Sequence, residues 1–412
     1  ASAAQAAVER LVAASETAGM TVVSTEVDGH PTWTFSGGSG DVPRSATVTL
    51  TNDMLVVGMD AAEVAKSVTL GTQGGANLAG SSAYKDATAD LPDARLATIY
   101  VDGAALKLAA GTMAAGTQTT VPGLESALAA IPVSIAGALT VQDASIIGTA
   151  RAVRPDGAPQ ILDSASTLAA DVPGASLAYA EAHDVGAAIS ALLASAKSQP
   201  GVDQLGLPIE SIESLLGAKL EDLFSWVGDA AVAGWTTDGT PGGAVVAEVI
   251  DTAAASERIK QLQAFLQLAS IGGSVTTATT TYAGTTISNV TVSDANQDVT
   301  ISFALSDTTF VLGIGESSVK AVLDVTPTTA LAADPGYQAT MKAAGPSTNS
   351  GSAYVDLRGI RDAIEPLVPA AERNRYEQEI KPWLLPFDQL GAVTYQDGST
   401  SVSQTVITTQ QP

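Results

Sequence analysis

Ala97-Thr-Ile-Tyr-Val-Asp-Gly-Ala-Ala-Leu106 reads as a short strand that passes through an aspartate into a helix, and Ser352-Ala-Tyr-Val-Asp-Leu-Arg-Gly-Ile360 repeats it. Alone, a Tyr beside an Asp at a strand end invites a catalytic reading. The recurrence gives a different one, because Tyr354 follows Tyr100 by 254 positions and other matches keep nearly the same spacing. Gly137-Ala-Leu-Thr-Val-Gln-Asp143 matches Gly391-Ala-Val-Thr-Tyr-Gln-Asp397 at 254, and Leu55-Val-Val-Gly58 matches Phe310-Val-Leu-Gly313 at 255. Leu78-Ala79 with Tyr84 matches Leu331-Ala332 with Tyr337 at 253. An offset held over this distance marks an internal duplication. Tyr-Val-Asp is then a joint of a repeated scaffold.

Each copy reads in the same order. A first helix (4–15 or 253–268) carries apolar residues at helical spacing. Strands rich in Val, Thr and Ile follow, in the second copy at 274–282, 285–292, 299–305 and 309–313, with turn residues between them. A short helix (61–68 or 317–323), the Tyr-Val-Asp strand with its helix, and two closing strands (137–142 and 145–152, or 391–396 and 399–408) end each unit. The second copy has extra leading elements: a strand at 175–179, a helix at 185–197, a helix at 209–227 and a hairpin of 230–236 with 243–250. The 209–227 helix is expected to pack Ile212, Leu215, Leu216, Leu220 and Phe224 against a sheet. The first copy lacks these elements, which are expected to lie upstream in a longer precursor. The fold class is α+β: two tandem duplicated units, each a twisted antiparallel sheet packed with Ala/Leu-rich helices. They are expected at 1–153 and 171–412, joined by a linker at 154–170 marked by Pro155, Gly157 and Pro159.

With 45% hydrophobic and 15% charged residues, the 412-residue chain can bury a sizeable core. Aromatics make up only 4%, so that core must be aliphatic. The net charge of -24 excludes phosphate-backbone recognition, which needs clustered Lys and Arg, so no nucleic-acid partner is expected. No apolar run approaches the roughly 20 residues that span a bilayer, so no transmembrane segment is expected. The absence of cysteine removes disulfides, thiolate catalysis and zinc–thiolate sites. Together with few Lys and abundant Thr, Ser, Gly and Ala, it points to an exported bacterial protein. The start, Ala1-Ser-Ala-Ala-Gln, suits a chain whose leader or anchor has been removed.

Phe310-Val-Leu-Gly313, Ala333-Asp-Pro-Gly-Tyr337 and Tyr354-Val-Asp-Leu357 resemble the bacterial exported proteins grouped as domain of unknown function 3352. In the first copy Ser81-Ser-Ala-Tyr84 stands where the second has Asp-Pro-Gly-Tyr, a looser fit. The resemblance covers most of 171–412 and about half of 1–150. It implies a class of protein and brings no established activity.

The aspartates at helix entries need no chemistry. Asp60, Asp102, Asp184 and Asp356 each stand where a side chain can accept the free N–H groups of a first turn, as structural caps. Asp60-Ala-Ala-Glu63 follows capping-box logic. The candidate metal ligands are Asp294, Asn296 and Asp298, whose alternating oxygens start like a calcium loop. Position six of that loop would be Val299 and position twelve Leu305, so the turn-residue reading competes. Gly313-Ile-Gly-Glu-Ser-Ser318 brushes the dinucleotide fingerprint but lacks its third glycine and carries Glu316, while Gly315-Glu-Ser-Ser-Val319 lacks the final glycine of a nucleophile elbow. Only His30 and His183 exist, so a zinc site would need carboxylates and a Ser/His/Asp triad would need one of these two. Asn289-Val-Thr291 matches a glycosylation acceptor that a bacterial strand would carry incidentally.

No catalytic residue and no organic cofactor is expected. The expected function is that of a non-enzymatic extracytoplasmic protein of the cell envelope or surface, binding a protein partner or a lipid-like apolar ligand. The alternative is a self-associating structural subunit of a surface layer or filament. A carboxylate enzyme is the third reading and needs converging acids in a cleft.

Overall fold

The computed structural model describes residues 2–37, 44–51, 54–116, 128–158, 161–197, 213, 219, 222–237, 239–269, 275–293 and 298–410. Two compact units divide at Asp86/Ala87. The sequence places the boundary later, at 154–170. The strands at 97–102, 134–142 and 145–153, which precede that stretch, belong to the same sheet as the strands that follow it.

In unit 1, α1 (Ser2–Thr17) precedes a four-stranded antiparallel meander of β1 (Thr21–Val27), β2 (His30–Gly37), β3 (Arg44–Leu50) and β4 (Leu55–Gly58). Val8, Phe35 and Val48 form its small core. Asp28 and Gly29 turn the first hairpin, both at positive φ. Then come α2 (Ala61–Gln73) and α3 (Ser82–Thr88), the latter crossing the division.

Unit 2 opens with β5 (Ala97–Asp102), α4 (Gly103–Gly116), β6 (Ser134–Gln142), β7 (Ser145–Val153) and the short β8 (Ser164–Ala165). It continues with β9 (Ser176–Ala182), α5 (Val185–Lys197), β10 (Val227–Thr237), β11 (Thr240–Val249) and α6 (Thr252–Ala269). The meander β12 (Val275–Tyr282), β13 (Thr285–Ser293), β14 (Asp298–Leu305) and β15 (Thr309–Ile314) follows. The chain ends through α7 (Gly315–Leu323), α8 (Pro335–Ala344), β16 (Thr348–Asn349), β17 (Gly351–Asp356), α9 (Leu357–Ile364), β18 (Phe387–Asp397) and β19 (Thr400–Thr409).

Apart from β8 and β16, which pair with each other, these strands form one antiparallel sheet of thirteen, in the order β12-β13-β14-β15-β11-β10-β9-β17-β18-β19-β7-β6-β5. The fold class is α+β. Alternation buries one side chain in two: Ala231, Ala233 and Trp235 of β10 enter the core with Val246, Val311, Val319 and Leu331, while Val232 faces out. The helices α7 and α8 cover this core face over β14–β15 and β18–β19.

With β5, β6 and β7 matched to β17, β18 and β19 as the sequence reading has them, the order of the last six strands is palindromic about the β19–β7 pair. That pair runs from Thr408 opposite Ser145 to Thr400 opposite Val153, with Gln404 against Thr149 at its middle. The two closing hairpins are out of step by one residue. Gln142 pairs with Ser145 around Asp143-Ala144, whereas Asp397 pairs with Thr400 around Gly398-Ser399. Gly391 therefore faces Tyr354, but Gly137 faces Ile99 and Ala136 takes the place opposite Tyr100. A one-residue slip exchanges the two faces of a strand. Leu139 and Val141 point outward at 39% and 57% exposure, while Val393 is buried at 3%.

The stretch read as a linker is partly core. Pro155–Gly157 does form a turn, but β8 pairs with β16, and Leu168 and Ala169 are buried. Of the 209–227 helix, Ile212, Leu215, Leu216 and Leu220 lie outside the described residues. Phe224 stays exposed and Val227 already belongs to β10, with Trp226 buried against Phe310 instead.

Candidate functional site

Strand β9 brings chemistry to one place. Alternation puts Tyr179, Glu181 and His183 of Tyr179-Ala-Glu-Ala-His183 on a common side of the chain. Glu181 is buried, and its carboxylate is fully used. Oε1 accepts the N–H groups of Thr167 (3.0 Å) and Leu168 (3.3 Å), and Oε2 accepts the Tyr179 hydroxyl at 2.6 Å. This side chain hangs the segment after β8 on the sheet.

At the end of β9, His183 Nδ1 lies 2.6 Å from Asp229 Oδ2 of β10. Asp229 Oδ1 also accepts the Asp184 N–H at 3.0 Å. The His183 side chain is only 2% exposed, and its Nε2 is buried with no hydrogen-bond partner. Glu181, His183 and Asp229 each offer a ligand atom, and the three atoms lie within 4.8 Å of one another. Among the described residues, no Lys or Arg forms an ion pair with Glu181 or Asp229. Burial, and then the field of Glu181, holds the Asp171 carboxyl above the usual carboxylate range. Acidic groups thus gather here with His183, and no Lys or Arg among the described residues, as an ion-pair partner.

Next to this cluster the Asp334-Pro-Gly-Tyr337 and Tyr354-Val-Asp356 motifs meet. Tyr179 and Tyr354 are opposite one another in the β9–β17 register. Tyr337 stands edge-on to both, with ring centroids 6.0 and 5.2 Å away. Burial raises all three phenols well above their ordinary value, and for Tyr179 the field and hydrogen bond of Glu181 add to it. The tyrosines of Tyr-Val-Asp and Asp-Pro-Gly-Tyr are therefore core aromatics that stay protonated.

The expected caps divide. Asp60 accepts from Ala62 and Glu63 N–H, Asp102 from Ala104 and Ala105, and Asp356 from Gly359. Asp184 differs: its side chain makes no capping bond among the described residues, and it leads into α5 with φ 50°. Asp334 caps α8 through Tyr337 N–H and Asp251 caps α6 through Ala254 N–H, two caps that the sequence reading did not single out. Asp294 and Asn296 lie outside the described residues, and Asp298 is exposed at the start of β14. His30 opens β2 in unit 1. Asn289 is held by Glu316 and Ser302, which suits an interior strand position better than a glycan. Glu316 pairs with Lys320 at the α7 entry, where a phosphate would have to sit.

The second feature is the outer edge of β5, which no described strand pairs. The strand that carries the other Tyr-Val-Asp, β17, lies between β9 and β18. Ile99 is 65% exposed, and Leu96, Leu139 and Val141 are exposed with it. The sequence of β5 carries no Lys and no Pro, the residues that blunt edges elsewhere. The cleft of about 240 Å³ beside α6 mixes Leu266, Val290 and Phe303 with Gln263, Ser288 and Asn289 in equal measure.

Among the described residues, no helix is long and apolar enough to cross a membrane. The model of the family described as "Protein of unknown function (DUF3352)" matches residues 2–408, and the chain belongs to that family. No curated protein and no solved structure matches it.

Proposed function

We propose that this DUF3352 protein is a non-enzymatic extracytoplasmic binding protein of the cell envelope, which takes up an extended segment of a protein partner along β5. The observation that carries this reading is the outer edge of β5, which no described strand pairs, beside exposed Leu96, Ile99, Leu139 and Val141. Added strands gain main-chain hydrogen bonds and side-chain pockets at alternate positions, which is the usual logic of strand addition. The reading also treats the two halves as duplicated copies. The palindromic strand order and the end-to-end β7–β19 pairing support that treatment. On it, the partner strand resembles β9, the neighbour of β17: small residues alternating with Leu and Tyr. A cysteine-free chain suits an oxidising compartment, and the burial of His183 argues against its use on a substrate.

The test uses a peptide of the β9 sequence, Ser176–Ala182, added in excess to the whole chain. Amide hydrogen exchange should slow at 97–102, and Ile99→Lys should abolish the effect. Unchanged exchange at 97–102 would refute strand uptake at this edge.

A second reading, a self-associating surface-layer or filament subunit, draws on the opposite end of the sheet, where β12 also has no strand on its outer side among the described residues. Chains joined edge to edge would extend the sheet. Sedimentation decides between them: a monomer at high concentration removes the structural subunit and leaves the binding protein.

A further inference from the structure

We propose that the helical excursion between β17 and β18 docks on a lipid bilayer surface, with Trp383 and Leu367 entering the boundary between headgroups and acyl chains. Helix α9 runs on into the turn Glu365–Leu367, and a helical stretch through Arg373–Arg375, Tyr376–Ile380 and Lys381–Leu384 brings the chain back to β18. The two arms are fastened to each other. Buried Arg361 donates from Nη1 to the carbonyls of Leu384 (3.1 Å) and Phe387 (3.4 Å), and Lys381 pairs with Glu365. Each arm keeps an apolar stripe uncovered. Ile364 and Leu367 are three positions apart, as are Ile380 and Trp383, with Leu384 next in line, a spacing that puts each set on one side of its helix. Leu367 is 76% exposed and Trp383 77%, with Ile364, Ile380, Leu384 and Leu385 exposed beside them in the chain. Single exposed apolar residues are ordinary, but two stripes on fastened arms make a patch that marks an interaction site. Trp226 and Trp235 are buried, so a tryptophan left in water sets this patch apart.

Charge selects the occupant. Of the chain's 19 basic and 43 acidic residues, 357–385 holds five of each, so the whole net charge of -24 lies elsewhere. An anionic surface repels such a chain, whereas this face brings no net charge to the headgroups. Its charges are also paired locally, Arg375 with Glu379 and Arg358 with Asp388, both at 3.3 Å. A neutral, ion-paired face with an apolar stripe suits a zwitterionic headgroup layer, where the tryptophan ring is buried while its N–H stays wet. Pro366, Pro369, Pro382 and Pro386 have no backbone N–H to strip of water there. A partner helix would need an apolar groove, and the cleft of about 430 Å³ at this place is lined instead by Asp362, Glu365, Arg373, Glu377 and Lys381, with Tyr376 and Pro366. Strands β19, β7 and β6 separate β18 from β5, so bilayer docking and strand uptake stand or fall separately.

The test is co-sedimentation of the whole chain with phosphatidylcholine vesicles, and with vesicles of equal parts phosphatidylcholine and phosphatidylglycerol, alongside tryptophan emission. Phosphatidylcholine should shift the emission to the blue, brominated acyl chains should quench it, and Trp383→Phe should remove most of both changes. Leu367→Glu, at a site too exposed for folding to depend on it, should weaken binding by more than about tenfold. Phosphatidylglycerol should weaken binding at low salt and lose that effect as salt rises. Ile99→Lys, which removes strand uptake at β5, should leave vesicle binding unchanged. No binding to either vesicle, binding that Leu367→Glu leaves intact, or binding that requires phosphatidylglycerol and disappears in salt would overturn the assignment. A lipid-free dimer that Leu367→Glu dissociates, with no vesicle binding, would overturn it in favour of a second copy of the chain on this face.

Discussion

Replacing Glu181 by alanine removes the acceptor on which residues 167–168 are hung. Three donors lose their partner together: the N–H groups of Thr167 and Leu168 and the hydroxyl of Tyr179. Leu168 and Tyr179 are both buried, so water is poorly placed to replace the carboxylate. A buried donor left without an acceptor costs about 1–3 kcal/mol, which gives about 3–9 kcal/mol before coupling within the network is considered. Removing a buried carboxylate also relieves its desolvation, which brings the expected loss to about 3–4 kcal/mol. Glu181→Gln retains one carbonyl oxygen for the two backbone groups and offers Tyr179 an amide, so about 1–2 kcal/mol is expected. Urea unfolding in metal-free buffer, read by tryptophan emission in a Trp33→Phe background, reports unit 2 through Trp226, Trp235 and Trp383. A Glu181→Ala chain within about 1 kcal/mol of its parent would refute Glu181 as the anchor of this segment. Equal losses for Ala and Gln would show that charge, and not acceptor geometry, matters.

Three other substitutions follow from the structure. Asp171 is held above its ordinary value of 3.8 by burial and by Glu181, so the folded state favours its protonated form. Its charge therefore costs stability at neutral pH: Asp171→Asn should raise the unfolding midpoint at pH 7, and the gain should fade as pH falls through the raised value and vanish below 3.8. In α4, a Cβ on Gly103 would overlap the carbonyl oxygen of Pro132, whereas one on Gly111 meets nothing within 4 Å. Gly103→Ala should lose at least about 2 kcal/mol and Gly111→Ala should gain about 0.4–1 kcal/mol, both measurable by thermal denaturation.

Local rules made much of the fold legible. The alternating Thr/Val/Ile runs of 274–305 became β12–β14, and Asp60, Asp102 and Asp356 cap their helices because capping needs only the residues next to them. Non-local pairing was not legible. Nothing in Ser145–Val153 names Thr400–Thr409 as its neighbour, and composition points instead to 154–170, where Pro155 and Gly157 mark a turn and the buried Leu168 follows. The acid cluster was half visible. The alternation Tyr179-Ala-Glu-Ala-His183 does place three polar side chains on one side of a strand, but Asp229 joins them only through the β9–β10 pairing.

The exposed surface beside β5 has its origin in a turn. By identity, Gly137-Ala-Leu-Thr-Val-Gln-Asp143 aligns with Gly391-Ala-Val-Thr-Tyr-Gln-Asp397, which would put Leu139 in the inward place of Val393. The first hairpin turns one residue sooner because Asp143 accepts φ 52°, a left-handed conformation that Asp tolerates better than most residues. The second uses Gly398, at φ 60°, where glycine bears no steric cost. The earlier turn sends the small Ala136, Ala138 and Thr140 inward and Leu139 and Val141 outward beside Ile99. In the other register, Ala138 and Thr140 would flank the free edge and leave a bound strand little apolar surface to cover. On the proposed reading, what fits β5 for strand uptake is therefore the register of its neighbour, and composition is silent on register.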